Sequence, residues 1–140
     1  MNVLIDTNII LDYLTKREPY FKDARDIFFM CASGKLNGCI AAHSIMNAFY
    51  ILRKSFSAEK RRKMLLDLCE ITTVIGIDQR DVLAVLNEEK FSDMEDCLQS
   101  ECAAKCGAEY VITRNVKDFA ESKVSAIEPR DFISLQNKEF

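Results

Sequence analysis

The feature that most constrains this chain is a hydrophobic pattern that alternates between short apolar runs and longer segments of helical spacing. The runs are bounded by polar or turn residues, as buried strands are, and they lie at residues 3–5, 39–41, 72–77, 110–112 and 124–127. Between them, apolar residues recur every three to four positions, which predicts amphipathic helices. Strands that alternate with helices favour an α/β fold around a parallel sheet.

The ends of the predicted helices carry capping signals. Ser57 and Asp78 precede helical segments and are good N-cap residues. The segment Ser92–Glu95 has the S-x-x-E spacing of a capping box, before a helix that extends to about residue 106. Gly34 and Gly107 are predicted to end helices in a left-handed conformation. Other helices are predicted at 8–16, 20–33, 44–54, 58–69 and from residue 129, the last with Phe132 and Leu135 as its apolar face.

Length and composition favour one ordinary domain that spans residues 1–140. The hydrophobic share of 49% is enough to build a core without a disulfide or metal staple. No segment approaches the ~20 apolar residues that a membrane-spanning helix needs. The first residues lack the basic region of a signal peptide. We therefore expect a cytoplasmic protein that does not associate with membranes.

Charge and cysteine content argue against two further classes of protein. A formal net charge of -3 is not that of a protein that coats nucleic acid non-specifically. The six cysteines include no C-x-x-C pair, and one histidine cannot complete a zinc site of the usual spacing. We interpret the cysteines as small, reduced, buried hydrophobic residues.

Polar side chains directly follow two of the predicted strands. Asp6 comes after the first apolar run, and Asn115 and Asp118 come after the fourth. In an open parallel sheet, ligands bind at the carboxyl ends of strands, where the strand order reverses. Asp96, in the first turn of its helix, joins these residues if that helix docks beside the first strand. The alternative is structural, because Asp6 and Asn115 each stand where a helix N-cap is expected.

Clustered carboxylates without cysteine ligands or a histidine cluster select hard cations, here Mg²⁺ or Mn²⁺. Such a cation activates water and shields phosphate oxygens, which suits hydrolysis of a phosphodiester bond. Asp93 and Glu95 are counted as further candidate ligands because they flank Asp96. Most of the 22 acidic residues are interpreted as solvated, and Asp12 is spaced to pair with Lys16.

Three segments together resemble the PIN domain family, including the toxin nucleases of VapBC type. They are LIDTNIILDYL, FSDMEDCLQSECAAKCGAEYVITRNVKDF and AIEPRDFI, and the likeness runs over nearly the whole chain. The resemblance implies a three-layer α/β/α sandwich and a metal site of four acids. It makes Asp6 the first acid, Asp96 the third, and Asn115 with Asp118 the fourth element. Asp6, Asp96 and Asp118 are therefore the predicted catalytic residues.

One position departs from the family pattern. The second family acid is a Glu, and in IAAHSIMNAFYILRK its place falls on Asn47. The amide oxygen of Asn47 can contact a metal or its water, but it brings no charge and should weaken metal binding. Asp93 or Glu95, in the acidic D-M-E-D run, could supply the missing charge. We interpret the departure as a variant of a subfamily.

Several polar residues near these acids are assigned to substrate binding. Arg114 is a candidate for contact with substrate phosphate, as is Arg53 with Lys54. A solvated basic surface explains these cations equally well, and the Lys60–Lys63 run is interpreted as a solvated helix face. The full predicted substrate-binding set is Asn47, Thr7, Asn8, Arg114 and His43.

The leading hypothesis is an Mg²⁺- or Mn²⁺-dependent endoribonuclease, with RNA as substrate and the toxin of a toxin–antitoxin pair as a candidate role. A cognate antitoxin and a homodimer are further candidate partners. The alternative is a PIN-like module, weakly active or inactive, that binds RNA or protein, and Asn47 favours it. A phosphatase-type hydrolase with an aspartate nucleophile would need a second Asp two residues after Asp6, where the chain has Asn8.

Overall fold

A computed structural model describes residues 1–138 of the chain. Five strands form one all-parallel sheet in the order β3-β2-β1-β4-β5. The strands are β1 Asn2–Ile5, β2 Asn37–Ala41, β3 Thr73–Ile75, β4 Tyr110–Ile112 and β5 Ala126–Ile127. The helices are α1 Thr7–Leu14, α2 Phe21–Ala32, α3 Ala42–Ile51, α4 Ala58–Ile71, α5 Gln79–Asn87, α6 Met94–Lys105 and α7 Pro129–Lys138, and 3₁₀ turns cover Leu52–Lys54 and Val116–Phe119.

The sheet separates two apolar cores, which confirms the predicted α/β/α sandwich. Val3 and Ile5 of β1 face the larger core, formed with α1, α2, α3, α4 and α7. Leu4 faces the smaller core, which includes Cys102 and Ala103 of α6. Because side chains alternate between the faces of a strand, one continuous apolar run serves both cores.

Most of the predicted helix ends are confirmed. The Ser57 and Asp78 side chains cap α4 and α5, and Gly34 and Gly107 have φ of +79° and +67° directly after α2 and α6. The capping box at Ser92 is wrong. Asp93 is the N-cap of α6, and its carboxylate accepts from the Asp96 backbone N–H at 3.0 Å. The helix begins one residue later than the box requires.

Two further side-chain interpretations need correction. Leu135 of α7 is 38% exposed, so Phe132, which is fully buried, carries that helix's contact with the core. Asp12 does not pair with Lys16. Its buried carboxylate binds Arg114, which lies 102 residues away in sequence, because α1 lies beside the residues that follow β4, where Asn8 also contacts Thr113 and the Arg114 backbone N–H.

All six cysteines are free thiols. Four of them are buried, as the sequence predicts, whereas Cys69 and Cys106 are half-buried. Within residues 1–138, no helix is both long and apolar enough to span a membrane.

Candidate active site

The candidate site lies where the strand order reverses. β1 is central, with β2 on one side and β4 on the other. The residues that follow β1 and β4 therefore emerge side by side at the carboxyl edge, the usual ligand position in such sheets. A cavity of about 280 Å³ opens there. Its lining is Asp6, Thr7, Asn8, Leu11, Asn47, Ile51, Glu95, Asp96 and Asn115.

Asp6 is buried at the base of the cavity, with 4% of its surface exposed. Its Oδ1 accepts from the Thr7 backbone N–H at 2.7 Å and from Gln99 Nε2 at 3.2 Å. Its Oδ2 accepts from Thr113 Oγ1 at 2.7 Å and from Asn8 Nδ2 at 3.4 Å. Asp6 is thus both the N-cap of α1 and a site carboxylate, so the structural and functional interpretations are compatible. Burial raises the pKa of Asp6 to about 6, against the opposing hydrogen bond from Thr113.

Gln99 is fully buried and was missed by the sequence analysis. Its Nε2 amide is within hydrogen-bond distance of Asp6 Oδ1, Glu95 Oε1 at 3.1 Å and Ser44 Oγ at 2.8 Å. One neutral amide therefore joins two carboxylates that would otherwise repel each other. The sequence feature that could have indicated Gln99 is its position three residues after Asp96. On the same helix face, the residues one turn later are small and apolar.

Thr113 was also missed. It is fully buried, and besides donating to Asp6 it accepts from the Asn115 backbone N–H at 3.0 Å. Thr113 therefore links Asp6, which follows β1, to Asn115, which follows β4. A polar residue that ends a buried strand beside Asn115 was the signal that could have found it.

The start of α6 supplies the other carboxylates. Oxygen atoms of Asp93, Glu95 and Asp96 lie within 4.8 Å of one another. Burial raises the pKa of Asp96 to about 7, and the charges of Asp93, Asp6 and Glu95 add to this rise. The N-cap Asp93 and the two acids in the first turn of α6 lie at the positive end of the helix dipole, which partly offsets their repulsion.

His43 of α3 reaches the site through Glu95. The His43 Nε2 and Glu95 Oε1 atoms are 2.9 Å apart. Burial acts to raise the pKa of Glu95, but the hydrogen bonds from His43 and Gln99 outweigh it and hold that pKa below its usual value. His43 therefore holds a carboxylate in place and does not line the cavity itself.

The remaining predicted residues divide between two cavities. Asn47 is exposed and lines the acidic cavity. Asn115 also lines it, and its side chain makes no capping hydrogen bond within the described part of the chain. Asp118 is exposed and lines a neighbouring cavity of about 590 Å³ that shares Asn115. The structure therefore does not bring Asp118 into the group formed by Asp6 and Asp96.

Arg114 has a structural partner. Its Nε and one terminal nitrogen bind the two Asp12 carboxylate oxygens at 2.6 and 3.2 Å, and its guanidinium lies 4.1 Å from the centroid of the Tyr20 ring. Because Asp12 is 1% exposed, this pair balances a buried charge. Two of the five guanidinium N–H donors are therefore bound to Asp12, and the Tyr20 ring lies against the same group.

The donor set of the acidic cavity fits a hard divalent cation. Carboxylate and amide side chains line the space. Beside it, Glu95 and Asp96 form with Asp93 a group of carboxylate oxygens within 4.8 Å of one another, and oxygens bound to one Mg²⁺ lie roughly 3–4 Å apart. The raised pKa values of Asp6 and Asp96 describe carboxylates that lack a compensating positive charge. Asp6, Glu95 and Asp96 could hold the ion, with Asn47 and Asn115 as neutral oxygen donors.

The comparison with protein families settles the class of protein. The sequence model of the PIN domain matches residues 2–117, most of the chain. The protein therefore belongs to the PIN domain family, whose members are typically nucleases that use divalent metals. No curated protein sequence matches the chain at a significant level.

Solved structures with a similar fold include bacterial toxin proteins. A toxin–antitoxin complex from Klebsiella pneumoniae is 24% identical, covers 91% of this chain and 97% of that one, and has a TM-score of 0.66. FitAcB from Neisseria gonorrhoeae is 12% identical, covers 91% and 98%, and has a TM-score of 0.70. VapC20 of Mycobacterium tuberculosis, a sarcin–ricin loop cleaving toxin, is 12% identical, covers 91% and 99%, and has a TM-score of 0.70. At these identities the likeness supports the fold alone.

Proposed function

We propose that this protein is a metal-dependent endoribonuclease that hydrolyses RNA phosphodiester bonds. The observation that carries the proposal is the meeting of Asp6, Glu95 and Asp96 at one cavity, at the reversal point of a PIN-domain sheet. Carboxylate clusters of this kind hold Mg²⁺ or Mn²⁺, and a bound divalent cation supplies an activated water and shields charge on the phosphate.

Each proposed role follows from the position of the residue. Asp6 and Asp96 hold the cation, and Glu95, kept ionised by His43 and Gln99, adds the charge that Asn47 does not bring. Asn47 and Asn115, which both line the cavity, orient water or substrate oxygens. Thr7 and Asn8 act on the Asp6 carboxylate, to which both donate hydrogen bonds from the first turn of α1. Asp118 acts at the rim of the site through its shared neighbour Asn115.

A toxin role with a protein antitoxin extends this proposal. It is supported by the similarity to a toxin–antitoxin complex and to a toxin that cleaves RNA. Induced expression in the cytoplasm of a bacterial host should then arrest growth, and Asp6→Asn should relieve the arrest. A homodimer is proposed as the working form, and sedimentation of the purified chain tests it.

The direct test is cleavage of structured RNA with Mn²⁺, with Mg²⁺ and with a chelator. Asp6→Asn keeps the shape of the side chain but removes one charge, so we expect the metal-dependent rate to fall at least ~100-fold while the fold persists. Cleavage by Asp6→Asn at the full rate would remove Asp6 from the site.

Asn47→Glu tests the missing family acid. It adds a carboxylate to the cavity lining, and we expect the Mn²⁺ dissociation constant to fall about 10-fold. Met46→Glu is the matched control, because it adds the same charge at the preceding residue of α3, which is 64% exposed and does not line the cavity. Equal effects of both variants would mean that overall charge, and not the site, controls metal binding.

A non-cleaving RNA-binding module is the second candidate function. It is favoured by Asn47, which lowers the charge of the cavity, and by the four donors that already satisfy Asp6. This function predicts RNA binding by the wild-type protein without cleavage and with little dependence on Asp6. The cleavage assay with and without metal separates the two functions.

A further inference from the structure

One segment of the chain has a charge opposite to that of the whole. The full chain has a formal net charge of -3. Residues 42–63 contain six basic residues and one acid, Glu59, a local balance of +5. This segment forms α3, the 3₁₀ turn after it and the first half of α4. The basic residues are Arg53, Lys54, Lys60, Arg61, Arg62 and Lys63.

This basic segment begins at the acidic cavity. Asn47 and Ile51 of α3 line the cavity. Tyr50 and Lys54 follow these two residues at i+3, and such positions are neighbours on one helix surface. The helix then tightens into the 3₁₀ turn at Leu52–Lys54, where residues at i and i+3 eclipse each other. The path from Asn47 to Lys54 leads ~10 Å away from the carboxylates along the helix axis.

A cation–π pair, formed by Arg53 and Tyr50, lies between Asn47 and Lys54. The Arg53 guanidinium lies 3.8 Å from the centroid of the Tyr50 ring, and its NH1 donates to the Tyr50 carbonyl oxygen at 2.9 Å. Tyr50 is nevertheless 62% exposed. Planar, exposed groups of this kind stack on unpaired bases, and the cation attracts the adjacent phosphate. A second cation–π pair occurs in the same segment. The Arg61 guanidinium lies 4.2 Å from the centroid of the Phe49 ring and donates to the Phe49 carbonyl oxygen.

We propose that these exposed residues bind single-stranded RNA next to the cleavage site. We call the surface the α3 strip and define it as Asn47, Tyr50, Ile51, Arg53 and Lys54. A base stacks on the Tyr50–Arg53 pair, Lys54 contacts the neighbouring phosphate, and Asn47 and Ile51 lead the backbone into the acidic cavity. The inference rests on the proposed ribonuclease function and names the form of its substrate.

Electrostatics explains why such a strip is needed. The carboxylates repel the phosphates of an approaching strand, so attraction must come from elsewhere on the surface. The charge of Arg114 is paired with the buried Asp12 carboxylate, whereas Arg53 and Lys54 are exposed and no acidic residue occurs between positions 42 and 58. A protein partner would instead be expected on the adjacent apolar groove, which Met46, Phe49 and Leu66 line.

The test measures binding without cleavage. Wild-type protein and variants are titrated, in a chelating buffer and at several salt concentrations, into a fluorescent 12-nucleotide polyuridine. Arg53→Glu with Lys54→Glu should raise the dissociation constant at least ~10-fold and reduce the slope of log K against log salt by about 1.4, or 0.7 per lost contact. Tyr50→Ala should raise the dissociation constant about 10-fold and leave the salt slope unchanged, because stacking releases no counterions.

The matched control reverses two charges elsewhere. Lys35 and Lys138 are exposed and lie toward the amino edge of the sheet, since Lys35 precedes β2 and α7 ends near Met1. Lys35→Glu with Lys138→Glu should change the dissociation constant by less than about 3-fold and keep the salt slope. Circular dichroism of every variant confirms the fold, and each substituted side chain is exposed.

Three results would overturn the inference. The first is an equal effect of both charge-reversed pairs, and the second is a Tyr50→Ala variant that binds as the wild type does. The third is a change of sedimentation in the α3-strip variants, which would make the strip a protein interface. RNA binding that depends on the strip, without any metal-dependent cleavage, would leave the inference standing and refute the nuclease. Cleavage with no dependence on the strip would do the reverse.

Discussion

The candidate site has a buried half around Asp6 and Asp96 and an exposed half around Asn115 and Asp118. In the buried half, the Asp6 carboxylate accepts four hydrogen bonds, and Gln99 ties it to Glu95. In the exposed half, Asn115 precedes a 3₁₀ turn that contains Asp118, and both residues are exposed. Both halves stand at the carboxyl ends of neighbouring strands, so topology alone does not distinguish them.

The difference lies in what surrounds each carboxylate. Burial raises the pKa of Asp6 and Asp96 to about 6 and 7 and fixes their geometry, so these groups gain the most from a cation. An exposed carboxylate is already solvated by water and gains less. We therefore expect the buried half to set metal affinity and the exposed half to adjust catalysis or substrate contact.

The largest expected effect compares the two halves directly. Asp96→Asn should lower metal-dependent RNA cleavage at least ~100-fold, because it removes charge from the buried group. Asp118→Asn makes the same chemical change in the exposed half and should cost less than about 10-fold. Initial cleavage rates at saturating Mn²⁺ measure both. Equal losses would mean that Asp118 moves to the metal when substrate binds.

The next effect concerns the support of the buried half. Gln99→Met keeps the size of the side chain but removes the donor shared by Asp6 and Glu95, so the Mn²⁺ dissociation constant should rise by about 10-fold, as is usual when a group that orients a ligand is lost. Calorimetry at a temperature where both proteins are folded measures it.

Ser44→Ala is the control for Gln99. It removes the 2.8 Å hydrogen-bond partner of Gln99 but leaves both of that amide's contacts with the carboxylates. It should lower the Tm and change Mn²⁺ affinity by less than about 3-fold. If the two variants weaken metal binding alike, packing around α6 matters and the amide's bonds to the acids do not.

The smallest effect is the pH dependence of stability without metal. The folded state holds the Asp96 pKa at about 7, above its ordinary value of 3.8. The folded protein therefore binds the proton more tightly than the unfolded chain does. The stabilisation that protonated Asp96 gives to the folded state is complete below pH 3.8 and is lost as the pH rises towards 7.

Asp96→Asn should flatten this profile. At pH 8 it should raise the free energy of unfolding of the metal-free protein by about 2 kcal/mol, and at pH 5 less than about half of this gain should remain. Urea unfolding at both pH values in a chelating buffer measures the difference. If this variant is less stable than the wild type at pH 8, the ionised Asp96 carboxylate does not destabilise the metal-free protein.

Local sequence patterns were enough to predict most of the fold. Five apolar runs predicted the five strands, and Ser57, Asp78, Gly34 and Gly107 marked helix ends that the structure confirms. These features depend on neighbours within a few positions of the chain, so the pattern is visible without the fold. The error at Ser92 was also local, because Asp93 competes for the same role one residue later.

The sequence by itself determined that Asp6 and Asn115 follow two strands of one parallel sheet, and such a sheet directs the carboxyl ends of its strands to one edge. Only the tertiary structure decided which polar groups complete the buried half. Gln99 and Thr113 contact Asp6 across 93 and 107 positions of chain, and Arg114, predicted from the sequence to contact substrate, binds the buried carboxylate of Asp12. Such contacts depend on how helices dock on the sheet and on which charges become buried, and spacing along the chain records neither.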